Sequence, residues 1–435
     1  MPSPLYEPVR LRRSAPQALS SAQTQTVPET APAGGRASGD VPVIILSGGV
    51  TGLGVLRAFA RQAIPAYVYA AALADPIRHS RWYRALPGTD DRSPAPVPSV
   101  AVLEKILADS KLHGAFLCAC SDDWNRVVAA FAERAATPFV SMAPSRGALE
   151  ILQNKSNLAR LLQTLGVPMP NTLQVGSSAD VAELPPSNGT FYFLKPTESQ
   201  VFVARFGRKG IPVRSADEAR SWLDVITAAD LSVVLQEYIP GSAAEHFFID
   251  GYADRSGVIK ALFARRRQRI YPPDFGNSSA LISVSLSEVT AAVDSVRRVL
   301  AAADYRGIFS VELKRDSRDG AFKLLEVNAR PWWFVDFAVR CGVDVCRMAY
   351  DDAQGTEVQA VETYSIGTTC IFPYYDFFSM QRLVAARLTN WRGWVIDVMR
   401  AMQPVACLDD PMPAIVATSR ILGKALRNRL AGPAA

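Results

Sequence analysis

The chain has 435 residues and a mass of 47.2 kDa, with 49% hydrophobic and 20% charged residues, a composition that suits globular domains and excludes a fibre or a wholly disordered polymer. The net charge of +6 is the small excess of 47 basic over 41 acidic residues, so charge alone makes no case for nucleic acid. No run approaches the roughly 20 apolar residues of a membrane-spanning helix. Six cysteines without a CxxC and three histidines without zinc-ligand spacing argue against a disulfide scaffold, a His-built metal site and a His-based triad.

Residues 1–40 are rich in Ser, Ala, Pro, Thr and Gln and short of large apolar groups, which predicts a disordered tail. They lack a secretory pattern, and with unpaired thiols the expectation is a cytoplasmic protein. From Val41 a short apolar run, a turn containing Gly48, Gly49, Gly52 and Gly54, a helical pattern through Arg61 and a second strand over residues 66–69 predict a β-turn-α-β unit. The glycine spacing is not that of a dinucleotide fingerprint, so the turn reads as structural. A further strand over residues 115–120 ends in Ser121-Asp122-Asp123-Trp124; carboxylates at the carboxyl end of a parallel strand often face a ligand, but helix capping by Ser121 or Asp122 is the plainer reading.

Residues 149–165 predict a helix that stops at Gly166-Val167-Pro168. A strand over residues 191–196 carries Lys195 at its end. An irregular polar stretch to Pro212, a helix from Ala216 and a strand over residues 233–239 follow. Two antiparallel strands, near residues 245–252 and 258–265, are joined by Asp254-Arg255-Ser256-Gly257, a good turn sequence. A helix around residues 287–302 precedes two strand-like runs, residues 307–314 and 321–328, that predict a hairpin.

Side-chain alternation places Glu326 and Asn328 on one face of that hairpin, and an even register offset brings Glu312 to the same face. On the residues alone two readings stand: a divalent cation held by hard oxygen donors, or an exposed hairpin whose glutamates meet water.

The order of these features resembles the ATP-grasp superfamily from about Val41 to Gly355. Glu312, Glu326-Val327-Asn328 and Arg330 match its terminal motif. Lys155 and Lys195 match its two lysines, Gln236-Glu237-Tyr238-Ile239 its adenine hinge, and Glu245 its ribose-binding carboxylate. Leu325-Glu326-Val327-Asn328-Ala329-Arg330-Pro331-Trp332-Trp333 and Tyr271-Pro272-Pro273-Asp274-Phe275-Gly276 are most similar to the carboxylate–amine ligases related to D-aspartate ligase and to the synthetase domains of carbamoyl phosphate synthase. The phosphate-covering loop departs from the family pattern, with only Gly207 and Gly210 amid Arg205, Arg208 and Lys209, and Asn154 stands where relatives are often acidic.

The resemblance implies an α/β and α+β chain. A Rossmann-like leading domain over residues 41–145 would precede a central lobe (146–235), a C-terminal lobe with the metal site (236–355) and an accessory segment (356–435). It implies ATP and one or two Mg²⁺ ions, with Mn²⁺ able to substitute, and small-molecule carboxylate and amine substrates joined through an acyl phosphate. Lys155 and Lys195 would hold phosphates, Glu312, Glu326 and Asn328 the metal, and Arg330 the transferring group. Arg265 and Arg267, on one face of their strand, would clamp a carboxylate or acyl phosphate, with a solvated face or a nucleic-acid contact as the alternatives. Trp332 and Trp333 would line the acceptor pocket or pack in the core. Residues 413–430 predict an amphipathic helix that docks on its own protein or touches anionic lipid. A homo-oligomer is left open. A regulatory nucleotide-binding protein of the same fold, or a carboxylase or kinase, are the competing functions.

Overall fold

The computed structural model describes residues 41–420, apart from residues 70, 91, 93–95, 135–139, 183, 185–190, 198, 272–275 and 386–389. The expected tail over residues 1–40, most of the motif at residues 271–276 and the end of the expected C-terminal helix lie outside the described residues; residues 412–420 are helical. Among the described residues no helix is long and apolar enough to cross a membrane.

Val43–Leu46 (β1) is an apolar run with all four side chains buried, as a central parallel strand covered on both faces requires. Gly49–Ala60 (α1) follows, and Ala66–Tyr69 (β2) pairs with β1 in parallel. After Val100–Ser110 (α2), Phe116–Ala119 (β3) pairs with the other edge of β1 and leads into Asp122–Ala132 (α3). The glycine-rich turn after β1 places Ser47 and Gly49 at φ of 88° and 72°. Asp75 accepts from Gly49 N at the start of α1, and a side chain at Gly48 would collide with that carboxylate.

The helix expected over residues 149–165 is two helices, Arg146–Gln153 (α4) and Lys155–Leu165 (α5). Asn154 between them is extended, and its side chain accepts from Ser156 N and Asn157 N. Its short amide thus replaces one turn of helix with an N-cap, which makes Lys155 the first residue of α5. Gly166, at φ 61°, closes α5 as expected.

Thr172–Val175 (β4), Tyr192–Pro196 (β5), Ile211–Val213 (β6) and Val233–Glu237 (β7) form an antiparallel sheet in the order β4-β7-β5-β6. The stretch expected to be irregular instead contains a helix, Ser199–Phe206 (α6), whose Phe202 is buried; Ala216–Thr227 (α7) follows β6.

The second antiparallel sheet has six strands. His246–Ala253 (β8), Ile259–Tyr271 (β9), Asn277–Val284 (β10), Gly307–Arg315 (β11) and Phe322–Asn328 (β12) lie in the order β12-β11-β8-β9-β10, with Thr290–Ala302 (α8) between β10 and β11 in sequence. One face is apolar: Phe247, Ile249, Ala264, Val311, Leu313 and Val327 pack with Val293, Val296 and Val299 of α8. The other face carries the charges.

Beyond Val335–Arg340 (α9) and Val345–Ala353 (α10), the last residues add an edge strand to this sheet, Thr369–Ile371 (β13), paired with β10. Pro373–Ala385 (α11) and Trp391–Arg400 (α12) follow. The segment after α12 is tied to the leading domain by Arg57 of α1. Arg57 Nε donates to Asp410 at 3.0 Å, and its remaining nitrogens donate to the carbonyls of Pro404, Val405 and Asp410. Both side chains are wholly buried. Asp410→Ala leaves that guanidinium without its counter-ion and is expected to cost about 3–5 kcal/mol, read as a urea transition shifted to lower concentration in the full chain. Arg57→Met combined with Asp410→Leu is expected to recover much of the loss. Unchanged unfolding of Asp410→Ala would show that the pair contributes nothing.

Candidate active site

Four strands deliver one row of side chains across the polar face of the large sheet. Glu326 stands opposite Glu312, Glu312 opposite Phe248, and Phe248 opposite Arg265; in the next row Asn328 faces Ser310, and Ser310 faces Asp250. Strict alternation along β12 would turn Glu326 to the same side as buried Leu324. A register shift after Glu312 leaves Leu325 as an extra residue, so Leu324 stays in the core and Glu326 emerges on the polar face. A bulge beside a site commonly re-aims a side chain in this way.

Like charges directly opposite each other on a sheet repel, and the surroundings answer this. Glu312 Oε1 accepts from His246 Nδ1 at 3.0 Å and from Arg267 Nη2 at 3.2 Å. Burial raises the carboxyl of Glu312, but Arg267, His246 and Lys195 together hold it well below the usual carboxylate range. Burial, with Arg267 beside it, pushes His246 down to about 4, so the contact is a hydrogen bond donated by a neutral imidazole rather than an ion pair. Arg267 is itself buried, and its Nε donates to Ser278 at 2.8 Å.

Lys195, at the end of β5 in the smaller sheet, and Lys155, the first residue of α5, both approach the same carboxylates. Burial lowers Lys195 from the usual ammonium range, Glu326 and Glu312 oppose that lowering, and Lys155 adds to it. Lys155 shows the same burial effect, opposed by Glu326 and Asp122. The site therefore holds partly desolvated ammonium groups that an incoming polyanion would stabilise in their charged form. Lys195 Nζ donates to Gln236 at 2.6 Å, and Gln236 donates onward to Thr172 at 3.1 Å, so Gln236 fixes the lysine from the neighbouring strand.

Gln236 thus joins the hinge to this cluster, and the other hinge residues have partners of their own. Glu237 is buried and accepts from Arg318 Nη1 at 2.5 Å, and Glu245 accepts from Arg315 Nε at 2.6 Å. Both arginines belong to the β11–β12 hairpin, which thus latches onto the hinge segment at two points. Tyr238 stacks on Phe191 at 4.6 Å between centroids and lies over the ammonium of buried Lys314, while Ile239 is buried.

The three arginines have different partners. Arg265, 3% exposed, is bound by fully buried Asp250 at 2.6 and 3.3 Å and lies over Phe248 at 3.9 Å. Arg330 makes a two-pronged pair with Asp122, at 2.8 and 2.9 Å across 208 residues of sequence. Capping of α3, the role expected at this position, is carried out by Ser121, which accepts from Trp124 N. Asp122 is thereby available to Arg330, and Asn125 one turn later donates to the carbonyl of Ala329 at 2.7 Å. Sequence reading missed this role of Asp122; the signal was a carboxylate at the carboxyl end of a parallel strand, where open sheets place ligands.

Glu312, Glu326, Asn328, Arg265, Arg267 and Arg330 line one cleft of about 380 Å³. Asp122 borders it from the leading domain and Lys209 from the loop after α6; Trp332 and Trp333 complete a wall. Trp332 is buried, with an indole N–H that has no hydrogen-bond partner among the described residues, and Trp333 stacks on Phe372 at 5.6 Å. The expected acceptor-pocket and core readings of the two tryptophans thus meet in one wall.

Among the described residues no three His, Cys, Asp or Glu side chains form a metal-holding group. The donor set here is two carboxylates and the amide of Asn328, which lies 3.3 Å from Glu326 and 3.4 Å from Arg330. That set fits Mg²⁺, which takes one or two carboxylates and completes its shell with water and substrate phosphate. It does not fit zinc, which prefers nitrogen and sulfur.

No protein-family model matches the chain. It is 23% identical over 304 residues to the D-aspartate ligase of Enterococcus faecium (strain Aus0004), a match covering 65% of this chain and 69% of the relative. Among solved structures it resembles the carboxyaminoimidazole ribonucleotide synthase of Aspergillus clavatus complexed with ATP, with a TM-score of 0.56, 17% identity, and 76% of this chain and 80% of that one covered. It also resembles the L-amino acid ligase of Bacillus licheniformis, with a TM-score of 0.52, 15% identity, and 73% and 75% covered. At these identities the structural likeness is one of fold.

Proposed function

Because the chain has the ATP-grasp fold, we propose that it is an ATP-dependent, ADP-forming carbon–nitrogen ligase that joins a small-molecule carboxylate to an amine. The observation that carries this reading is the register pairing of Glu312 with Glu326, with Asn328 beside them and both family lysines within electrostatic reach. A bound Mg²⁺, held by Glu312, Glu326 and Asn328, would neutralise charge on the β- and γ-phosphates.

The chain's own groups supply positioning and charge. Lys155 and Lys195 hold phosphate oxygens, Gln236 keeps Lys195 aimed, and residues 236–239 with Glu245 serve the adenine and ribose. An oxygen of the substrate carboxylate attacks the γ-phosphorus. The bond to the β-phosphate oxygen breaks, and ADP leaves behind an acyl phosphate. The amine nitrogen then attacks the acyl carbon and loses a proton, and phosphate departs with the bonding pair. Such phosphoryl transfer depends on alignment and charge stabilisation more than on covalent help. Arg330, and Arg267 of β9, stabilise the transferring group, and Lys209 brings positive charge from the loop after α6.

Incubation with ATP, Mg²⁺ and a panel of amino acids and carboxylates is expected to yield ADP and phosphate only when a correct pair is present. Release of AMP and pyrophosphate would replace the acyl-phosphate route with adenylation. Glu326→Gln is expected to lower kcat about 100-fold or more with an unchanged melting temperature. Near-parental turnover in that variant would remove Glu326 from the metal site.

Asp122 is assigned here as the positioning residue of Arg330. Asp122→Asn keeps the Ser121 cap and is expected to lower kcat about tenfold with little change in the KM for ATP, because a slight misplacement of a charge-stabilising group acts on the transition state. Asp122→Glu is expected to restore part of the loss. A fall in melting temperature without a kcat effect would reduce the pair to a structural contact.

A further inference from the structure

Helix α12 has no buried residue, although six of its ten positions are large apolar side chains. Trp391, Val395 and Met399, spaced one turn apart, are 36%, 47% and 79% exposed, and Ile396 is 41% exposed. The opposite side is the anchored one: Trp394 donates its indole N–H to Asp376 of α11 at 2.9 Å, and its ring lies 6.0 Å from that of Phe377. At about 100° per residue, the sweep from Trp391 through Val395, Met399, Arg392 and Ile396 to Arg400 spans about half the helix circumference. Asp397 falls outside it. The outward arc thus mixes apolar groups with two exposed guanidinium groups and contains no acid.

The apolar surface extends onto α11. Phe377, 39% exposed, has its ring 5.3 Å from that of Trp391, and Phe378 bridges it to Tyr374, which is 37% exposed. A contiguous exposed patch of this kind marks an interaction site, whereas single exposed apolar residues do not.

Charge identifies the partner. From residue 386 onward the sequence has Arg387, Arg392, Arg400, Arg420, Lys424, Arg427 and Arg429 against Asp397, Asp409 and Asp410. Asp409 and Asp410 are neutralised by Arg61, just past α1, and by Arg57 of α1, which leaves Asp397 as the one acid of this stretch outside those pairs. We propose that the outward arc of α12, together with Phe377 and Tyr374, docks this protein on an anionic lipid surface. The aromatic rings and Met399 enter the headgroup boundary, and Arg392 and Arg400 extend their charged ends to phosphate. A second copy of the chain suits this face poorly, since like arginines would meet across a symmetric contact.

The test is sedimentation of the full-length protein with phosphatidylcholine vesicles, with and without about 30% phosphatidylglycerol. Binding is expected only to the anionic vesicles and is expected to weaken with salt. Val395→Glu combined with Met399→Glu is expected to reduce partitioning about tenfold or more, and Arg392→Gln combined with Arg400→Gln several-fold, in variants whose melting temperature matches the parent. Absence of binding, equal binding to both vesicle types, or indifference to the paired glutamates would overturn the proposal. So would a dimer in sedimentation equilibrium that the glutamates dissolve, or capture by polyglutamate without capture by vesicles, which would assign the face to a second copy or to an acidic protein.

Discussion

Two carboxylates facing each other across the β11–β12 pair set the terms for the rest of the site. Glu312 and Glu326 occupy directly opposed positions on one sheet face, an arrangement that destabilises a sheet unless positive charge is brought to it. The chain brings that charge from several elements. Arg267 arrives from the same sheet, Lys195 from the smaller sheet, Lys155 from the start of α5, and Arg330 from the residues just after β12. His246, held neutral by burial, contributes a hydrogen bond without adding charge. The outcome is a place where a largely buried Glu312 and an exposed Glu326 stand among more cations than they neutralise, which is a suitable setting for a divalent cation that arrives carrying phosphate.

Keeping such groups in place requires the separate elements to be tied together, and the ties are ionic. The β11–β12 hairpin reaches the hinge segment through Arg315 to Glu245 and Arg318 to Glu237. The leading domain meets the site through Asp122 to Arg330, and the C-terminal segment returns to the leading domain through Arg57 to Asp410. That segment also buttresses the cleft wall: Phe372 and Tyr375 pack on Trp333, and Asp376 holds Arg269 at 2.8 Å through both oxygens. Residues outside the recognisable motifs are thus part of what shapes the cleft.

What was legible in the sequence was what local chemistry determines. Period-two alternation and a polar turn made the hairpin readable, and Gly166 followed by proline marked the end of α5. The break at Asn154 was not readable, because a helix-compatible run is interrupted by one amide competing for two backbone N–H groups. Alternation placed Glu326 and Asn328 together, but the bulge at Leu325 that separates them from the core face depends on pairing with β11 and leaves no local mark. Asp122 looked like a cap because its partner lies 208 residues away, and only the fold joins them. The helix α6 sat in a stretch whose charges and glycines suggested loop, yet burial of Phe202 overrides that composition.

The different settings of the three cleft arginines argue for a division of labour among them. Arg265 and Asp250 have side chains only 4% and 0% exposed, so separating them would leave an uncompensated charge in the interior at high cost. Arg265 therefore suits the task of holding Phe248 and Ser310 in their rows. Arg267 is divided between Ser278 and Glu312 and sets the charge state of the carboxylate it touches. Arg330 has the partner most open to water, with Asp122 35% exposed, and solvent can compensate that carboxylate when the pair opens. A transient anion formed at the Glu326–Asn328 end of the row would thus meet in Arg330 the guanidinium most readily transferred to it, already aligned by the group it leaves.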